Sequence, residues 1–180
     1  MKRSDSKTQE NLRRAFLEES AAYAEYQFYA ERAKSEGFEE IYRTLNNFAN
    51  NEKAHAEIWF KLYHGIANTK DNLSAAKDLE NYERTVMYAD FSKVAEEEGF
   101  KDIARLFDMV GEIERSHEQT YTTLLEKVKK NEVFTSNDEN TVWKCANCGN
   151  EYVGKDAPDT CPVCSHPQAY FYVKETPSRK

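Results

Sequence analysis

The segments NNEKAH (50–55) and EIERSH (112–117) each carry a glutamate and a histidine three residues apart, Glu52/His55 and Glu114/His117. Residues three apart share one face of a helix, and here that face is otherwise apolar. Around the first pair the stripe runs Phe38, Ile41, Leu45 and Phe48, then Trp59 and Leu62, in steps that alternate three and four. Around the second it runs Phe100, Ile103, Phe107 and Val110, then Tyr121, Leu124 and Val128. Further carboxylates sit on two other such stripes. Glu19 lies among Leu12, Phe16, Tyr23 and Tyr26, and Glu80 and Glu83 lie among Leu73, Ala76 and Met87. Uncompensated carboxylates in a core cost several kcal/mol each, and no Lys or Arg occupies these stripes. The compensating charge must come from outside the side chains. A pair of di- or trivalent metal ions supplies it, and oxygen-rich ligation with one imidazole per metal suits iron or manganese.

A second constellation lies near the C-terminus. Cys145, Cys148, Cys161 and Cys164 form C-x2-C-x12-C-x2-C, the spacing with which two thiolate pairs complete one tetrahedral site. Spacing does not separate zinc from iron. A redox-active pair of metals in the same chain needs electrons, and a one-electron iron–thiolate centre can deliver them whereas zinc cannot. That consideration selects iron, with zinc as a possible substitute.

The elements that must position these residues follow from periodicity and punctuation. All four prolines lie in the last 23 residues, and the long preceding stretch is rich in good helix formers. Four helices are expected. The first carries Leu12 to Ala33 and stops near Gly37; the second runs from about Phe38 to Tyr63. The polar segment IANTKDN (66–72) reads as a longer connection. The third helix runs from near Leu73 to Gly99, and the fourth carries Phe100 to Val128. The halves repeat: AKSEGFEEI (33–41) matches AEEEGFKDI (95–103) at an offset of 62, which also maps Glu52 onto Glu114, His55 onto His117 and Tyr26 onto Tyr88. Two helical hairpins, each too thin to bury its own stripe, are expected to form an all-α, ferritin-like four-helix bundle over 1–135. A linker follows at 136–141, then a small metal-binding β/turn domain over 142–180, whose core is too small to fold without its ion.

One spacing breaks the repeat. Glu19 precedes Tyr26 by seven residues, whereas Glu80 precedes Tyr88 by eight. An added residue inside a helix is commonly absorbed as a π-bulge, often at a functional site. The spacing therefore predicts an i→i+5 hydrogen bond between about Glu80 and Tyr88 that swings Glu83 toward the metals as a fifth carboxylate. Glu18, one position off the stripe, reads as a solvated charge, and His64 and His166 read as surface residues rather than ligands.

Composition excludes other classes. A formal net charge of −7 and a pI near 5.3 argue against a nucleic-acid or anionic-membrane partner. No secretory signal or membrane-spanning run is evident, so the expectation is cytoplasmic. No nucleotide-binding Gly-rich loop is present, so no NAD(P)H site is expected.

The motifs EESAAYAEY, NEKAH, ENYERTVMYADFSKVAEEEGF, EIERSH and WKCANCG…CPVCSHPQAYF resemble the rubrerythrin family, from about Asn11 to Tyr172. The resemblance implies a di-iron site of Glu19, Glu52, His55, Glu80, Glu83, Glu114 and His117, in a ferritin-like domain followed by a rubredoxin-like domain. Glu83, Tyr26 and Tyr88 would serve the reaction itself, and one iron would exchange His55 for Glu83 on oxidation. The four cysteines would hold a single iron without sulfide. The implied activity is reduction of hydrogen peroxide to water in oxidative-stress protection. Electrons would come from an NAD(P)H-dependent reductase or a rubredoxin, and the assembly would be a homodimer. Two departures stand out: Ser165 follows Cys164 where relatives usually have Gly, and Asp90 lies close to where some relatives have Pro. Two rivals remain. An iron store or ferroxidase would not need the cysteine tail, and a purely structural metal site would leave the charged stripe unexplained.

Overall fold

The computed structural model describes residues 6–174, so the outermost ends of the two expected domains lie outside the described residues. It divides into two compact units, 1–67 and 68–180. The first is a helical hairpin of α1 (Lys7–Ser35) and α2 (Glu39–Tyr63). Ser6 caps α1 by accepting from the Gln9 N–H at 3.2 Å. Gly37, at φ +84°, ends α1, and the Phe38 N–H reaches back to the Ala33 carbonyl at 2.9 Å. That is a Schellman-type stop, and it needs the left-handed backbone glycine supplies. The helices run antiparallel. Gln9 Nε2 donates to the Tyr63 carbonyl (2.8 Å), the Phe16 and Phe60 rings lie 5.1 Å apart, and Gln27 donates to Asn46 (3.1 Å).

The second unit repeats the design. Its helices are α3 (Thr69–Tyr82), a π-helical turn (Glu83–Met87), α4 (Tyr88–Glu97) and α5 (Lys101–Lys130). Gly99, at φ +89°, plays the part of Gly37, and Phe100 N–H donates to the Ala95 carbonyl at 2.8 Å. The expected interruption is present: Tyr88 N–H donates to the Glu83 carbonyl, five residues back. One expectation is corrected. The connection is not 66–72, because Asn68 caps a helix that already begins at Thr69, its side chain accepting from the Asp71 N–H at 3.0 Å. Only residues 64–68 separate α2 from α3. The polar TKDN belongs to an exposed first turn, where a cap outweighs polarity.

The cysteine domain is a three-stranded antiparallel sheet in the order β2-β1-β3, with β1 Val142–Cys145, β2 Glu151–Val153 and β3 Phe171–Val173. Trp143, Cys145, Ala157, Cys161 and Phe171 are its buried core, with Phe134 and Cys164 packed against it. Trp143 Nε1 donates to the Gly154 carbonyl at 2.9 Å. The expected linker and the residues just before it are tied to this domain: Ser136 N–H donates to the Lys155 carbonyl and Ala157 N–H to the Phe134 carbonyl. No described helix is long and apolar enough to cross a membrane.

The residue after each cysteine pair is left-handed, Gly149 at φ +77° and Ser165 at φ +58°. A side chain there costs about 1–2 kcal/mol, partly offset by the lower unfolded-state entropy of a non-glycine. Ser165→Gly is therefore expected to stabilise the domain by roughly 0.5–1 kcal/mol. The measure is a higher denaturant midpoint for loss of the cysteine–metal absorption. An unchanged or lower midpoint contradicts it.

Candidate metal centres

In the first hairpin, α1 and α2 bring Glu19, Glu52 and His55 together, with one ligand atom from each within 4.8 Å of the others. His55 Nδ1 lies 2.9 Å from Glu52 and 3.8 Å from Glu19. In the second, α3 and α5 bring Glu80, Glu114 and His117 together by the same criterion. His117 Nδ1 lies 2.7 Å from Glu114 and 3.4 Å from Glu80. Each hairpin thus presents a cluster of two carboxylates and one imidazole. By the offset of 62, Glu19 maps onto Asn81 rather than Glu80. The π-turn absorbs that one-residue slip and leaves Asn81 to donate to Glu118 at 2.9 Å.

The electrostatics show a cluster short of positive charge. Burial raises the Glu80 carboxyl, and contact with Glu114 raises it further against the opposing pull of His117. Burial and the charge of Glu114 raise Glu83. His117 is raised above ordinary histidine, first by its bond to Glu114. Tyr88 is also raised, by burial and then by the charges of Glu114, Glu83 and Glu80, so its hydroxyl stays protonated beside them. Glu83 sits on the π-turn and senses Glu114 without joining the triad. Tyr26 is half-buried on α1.

Sequence reasoning missed the group behind the π-turn. Arg84 Nε and Nη2 both bind Glu118 Oε2, at 3.3 and 3.0 Å, and Asn81 binds the other oxygen of the same carboxylate. This fork joins the π-turn to α5 one residue past His117. Each residue alone reads as an ordinary polar residue on a helix surface, so no local signal marks it. Glu18 is exposed beside Arg14 and His64 is exposed at the end of α2, whereas the expected surface position of His166 is corrected. His166 is half-buried, its Nδ1 3.1 Å from the Cys164 carbonyl and its ring edge-on to Tyr170. Neither histidine joins a cluster.

The four cysteine sulfurs converge, and none forms a disulfide. Cys145–Cys164 and Cys148–Cys161 are each 3.7 Å apart. A tetrahedron with metal–sulfur bonds of about 2.3 Å has edges of about 3.8 Å, so the donor set fits one four-coordinate ion. The His166 backbone N–H draws Cys164 down to about 6 despite burial. At Cys148 the Asn150 N–H works the other way from burial and the three neighbouring thiols, which prevail and push it up to about 12. Four thiolates therefore need a cation to share the site.

The comparisons with known proteins converge on one family. The rubrerythrin family model matches residues 10–125, and the rubrerythrin rubredoxin-like domain matches 143–172. The chain belongs to the rubrerythrin family. It is 42% identical to rubrerythrin-1 of Clostridium acetobutylicum, over 93% of this chain and 94% of that protein. It is 41% identical to a rubrerythrin of Porphyromonas gingivalis, over 95% and 92%. A solved nigerythrin in a mixed-valence state aligns with 96% of this chain and 89% of its own at 26% identity, with a TM-score of 0.36. The family match agrees with the mostly helical architecture followed by a four-cysteine sheet domain.

Glu80, Glu83 and His117 all bind protons more tightly folded than unfolded. Their contributions to stability are complete below the unfolded values, 4.5 for the carboxyls and 6.5 for the imidazole, and are lost as pH rises through the raised folded values. Metal-free protein should therefore melt at a higher temperature as pH falls from about 7.5 toward 5. Further acidification should reverse the trend, because Glu118, Glu126 and Glu151 are lowered by their Arg84, Lys129 and Lys174 partners. A melting temperature of chelator-stripped protein that is flat or falls over the first window contradicts this.

Proposed function

We propose that this chain is a non-haem di-iron peroxidase that reduces hydrogen peroxide to water. Its electrons pass through an iron held by Cys145, Cys148, Cys161 and Cys164 from an external NAD(P)H-dependent reductase or a rubredoxin. The observation that carries the reading is the pairing, in one chain, of two carboxylate–histidine half-sites with a four-sulfur site of tetrahedral dimensions. Glu19, Glu52 and His55 would hold one side of the dinuclear centre, and Glu80, Glu114 and His117 the other, with Glu83 as a further carboxylate. Bound there, the iron pair would supply Lewis acidity and the two electrons that O–O cleavage requires.

The remaining work falls to the chain. Each turnover takes up two protons and two electrons per peroxide and releases two waters. Tyr88 keeps its proton on Oη under the charges of Glu114, Glu83 and Glu80, and would donate it in a hydrogen bond to one of those carboxylates. Glu83 lies on a turn with one more residue than the helix on either side of it requires. Such a turn gives a carboxylate room to change position with the charge beside it. Tyr26 would play the part of Tyr88 in the other half. The cysteine domain favours a redox enzyme over an iron store, since storage gives it no task.

Two variants test the reading. Cys161→Ser should abolish steady-state turnover with an NADH-driven reductase while the chemically reduced protein still consumes a single charge of peroxide. Full turnover in that variant contradicts the relay. Glu83→Ala should retain about two irons in the helical region yet turn over peroxide at least tenfold more slowly, about 1.4 kcal/mol in the barrier. Undiminished peroxidase activity contradicts the role of the π-turn.

A further inference from the structure

In the second unit, the residues that follow Glu80, Glu83 and His117 are Asn81, Arg84 and Glu118, and these three bind one another. Asn81 Nδ2 donates to Glu118 Oε1 at 2.9 Å, and Arg84 Nε and Nη2 donate to Oε2 at 3.3 and 3.0 Å. A single carboxylate on α5 thus grips the chain on both sides of Glu83. Because each gripping residue adjoins a carboxylate or histidine of the site, the fork fixes the backbone of Glu80 and Glu83 against that of His117.

The first hairpin supplies the comparison. Its α1 runs without interruption from Lys7 to Ser35. At the offset of 62, Glu118 maps onto Ala56, which is buried and has no polar side-chain atom. Ser20, the residue after Glu19, corresponds to Asn81 after Glu80, and its hydroxyl donates within its own helix to the Phe16 carbonyl at 2.7 Å. Among the described residues, fork and π-turn occur together in one hairpin and are both absent from the other. A pair serving general stability would suit either hairpin. It could equally lie on open surface like Arg14–Glu18, whose side chains are 80% and 73% exposed and where such pairs contribute little. The Arg84 and Glu118 side chains are 25% and 22% exposed, so water screens their attraction less and the two-pronged geometry gives it direction.

The far end of the turn is held by packing. Here α5 passes close to Tyr88 at Gly111, where an added Cβ would lie 3.6 Å from the Tyr88 Cβ. The Tyr88 ring packs near Phe91 and Phe107, with centroids 6.4 and 6.1 Å apart. A π-turn contains one residue more than a regular helix. If that extra residue moves one position along the chain, side chains between the old and new places rotate by about 100°. The polar clamp sits at the Glu83 end, where such a shift would turn the carboxylate away.

We propose that Asn81, Arg84 and Glu118 are positioning residues for Glu83: the fork fixes the register of the π-turn and so aims the Glu83 carboxylate at the Glu80–Glu114–His117 cluster. The proposal rests on the peroxidase reading above, in which Glu83 is a further carboxylate of the centre.

Arg84→Met/Glu118→Ala tests it, removing both charges together so that neither is left unpaired. In chelator-stripped protein, the Tyr88 amide, whose bond to the Glu83 carbonyl marks the turn, should exchange with solvent deuterium at least about tenfold faster than in wild type. The Ala104 and Leu125 amides on α5 should stay within about twofold. Iron-loaded protein should keep about two helical-region irons yet turn over peroxide at least about tenfold more slowly. Adding Glu83→Ala should slow it no further than Glu83→Ala does alone, because residues that act as one unit are not additive. Equal acceleration of all three amides, loss of the iron pair, undiminished turnover, or a triple variant slowed by the product of the separate effects each overturns the proposal. Glu83→Ala at the wild-type rate instead overturns the role of Glu83 in the reading beneath it. Asn81→Ala removes one arm and leaves the ion pair, so it folds where the double variant does not. One hydrogen bond sets its expected effect on Tyr88 exchange and on turnover at about threefold, and no change in either overturns the proposal.

Discussion

Carboxylates set into apolar helix faces govern this molecule. Glu19, Glu52, Glu80 and Glu114 interrupt stripes that would otherwise be ordinary core, and a histidine accompanies each Glu-x-x-His pair. Without a cation these groups are drawn toward their protonated forms: burial and Glu114 raise Glu80 and Glu83, and contact with the carboxylates raises His117. The same constraint accounts for the π-turn, which brings a fifth carboxylate beside Glu114 at the cost of a regular helix. It accounts for the Arg84–Glu118–Asn81 fork as well. A turn that departs from α geometry needs an external hold, and a two-pronged guanidinium–carboxylate contact provides a directional one.

Much of this was legible in the sequence, because the relevant signals are local and periodic. The Gly37 and Gly99 stops, the offset of 62 and the cysteine spacing each follow from a few neighbouring residues. The π-turn was legible only by comparing halves, since seven residues against eight is invisible in either half alone. The missed features depend on partners distant in sequence. Phe134, assigned from the sequence to the helical stretch 1–135, packs against the core of the cysteine domain. Glu118 gains its role only from Arg84, 34 residues away. The start of α3 was misplaced because the side-chain cap at Asn68 outweighs the polar composition of TKDN.

The cysteine domain follows the same physics at smaller scale. Its buried core is five residues, two of them cysteines of the four-sulfur cluster, so an ion bound there would be part of what holds the fold. Cys164 is drawn down by the His166 N–H while Cys148 is pushed up by its neighbours, so the sulfurs compete for charge until a metal settles them. Ser165 keeps the left-handed turn after Cys164 at some strain.

The central claim is that the two half-sites act as one redox centre. The most direct test is a Mössbauer spectrum of protein loaded with 57Fe, recorded before and after one equivalent of peroxide. The account predicts that a ferrous pair becomes a spin-coupled diferric pair in one step, distinct from the four-sulfur iron. Isolated, uncoupled ferric ions, or a ferrous signal that peroxide leaves unchanged, would contradict it.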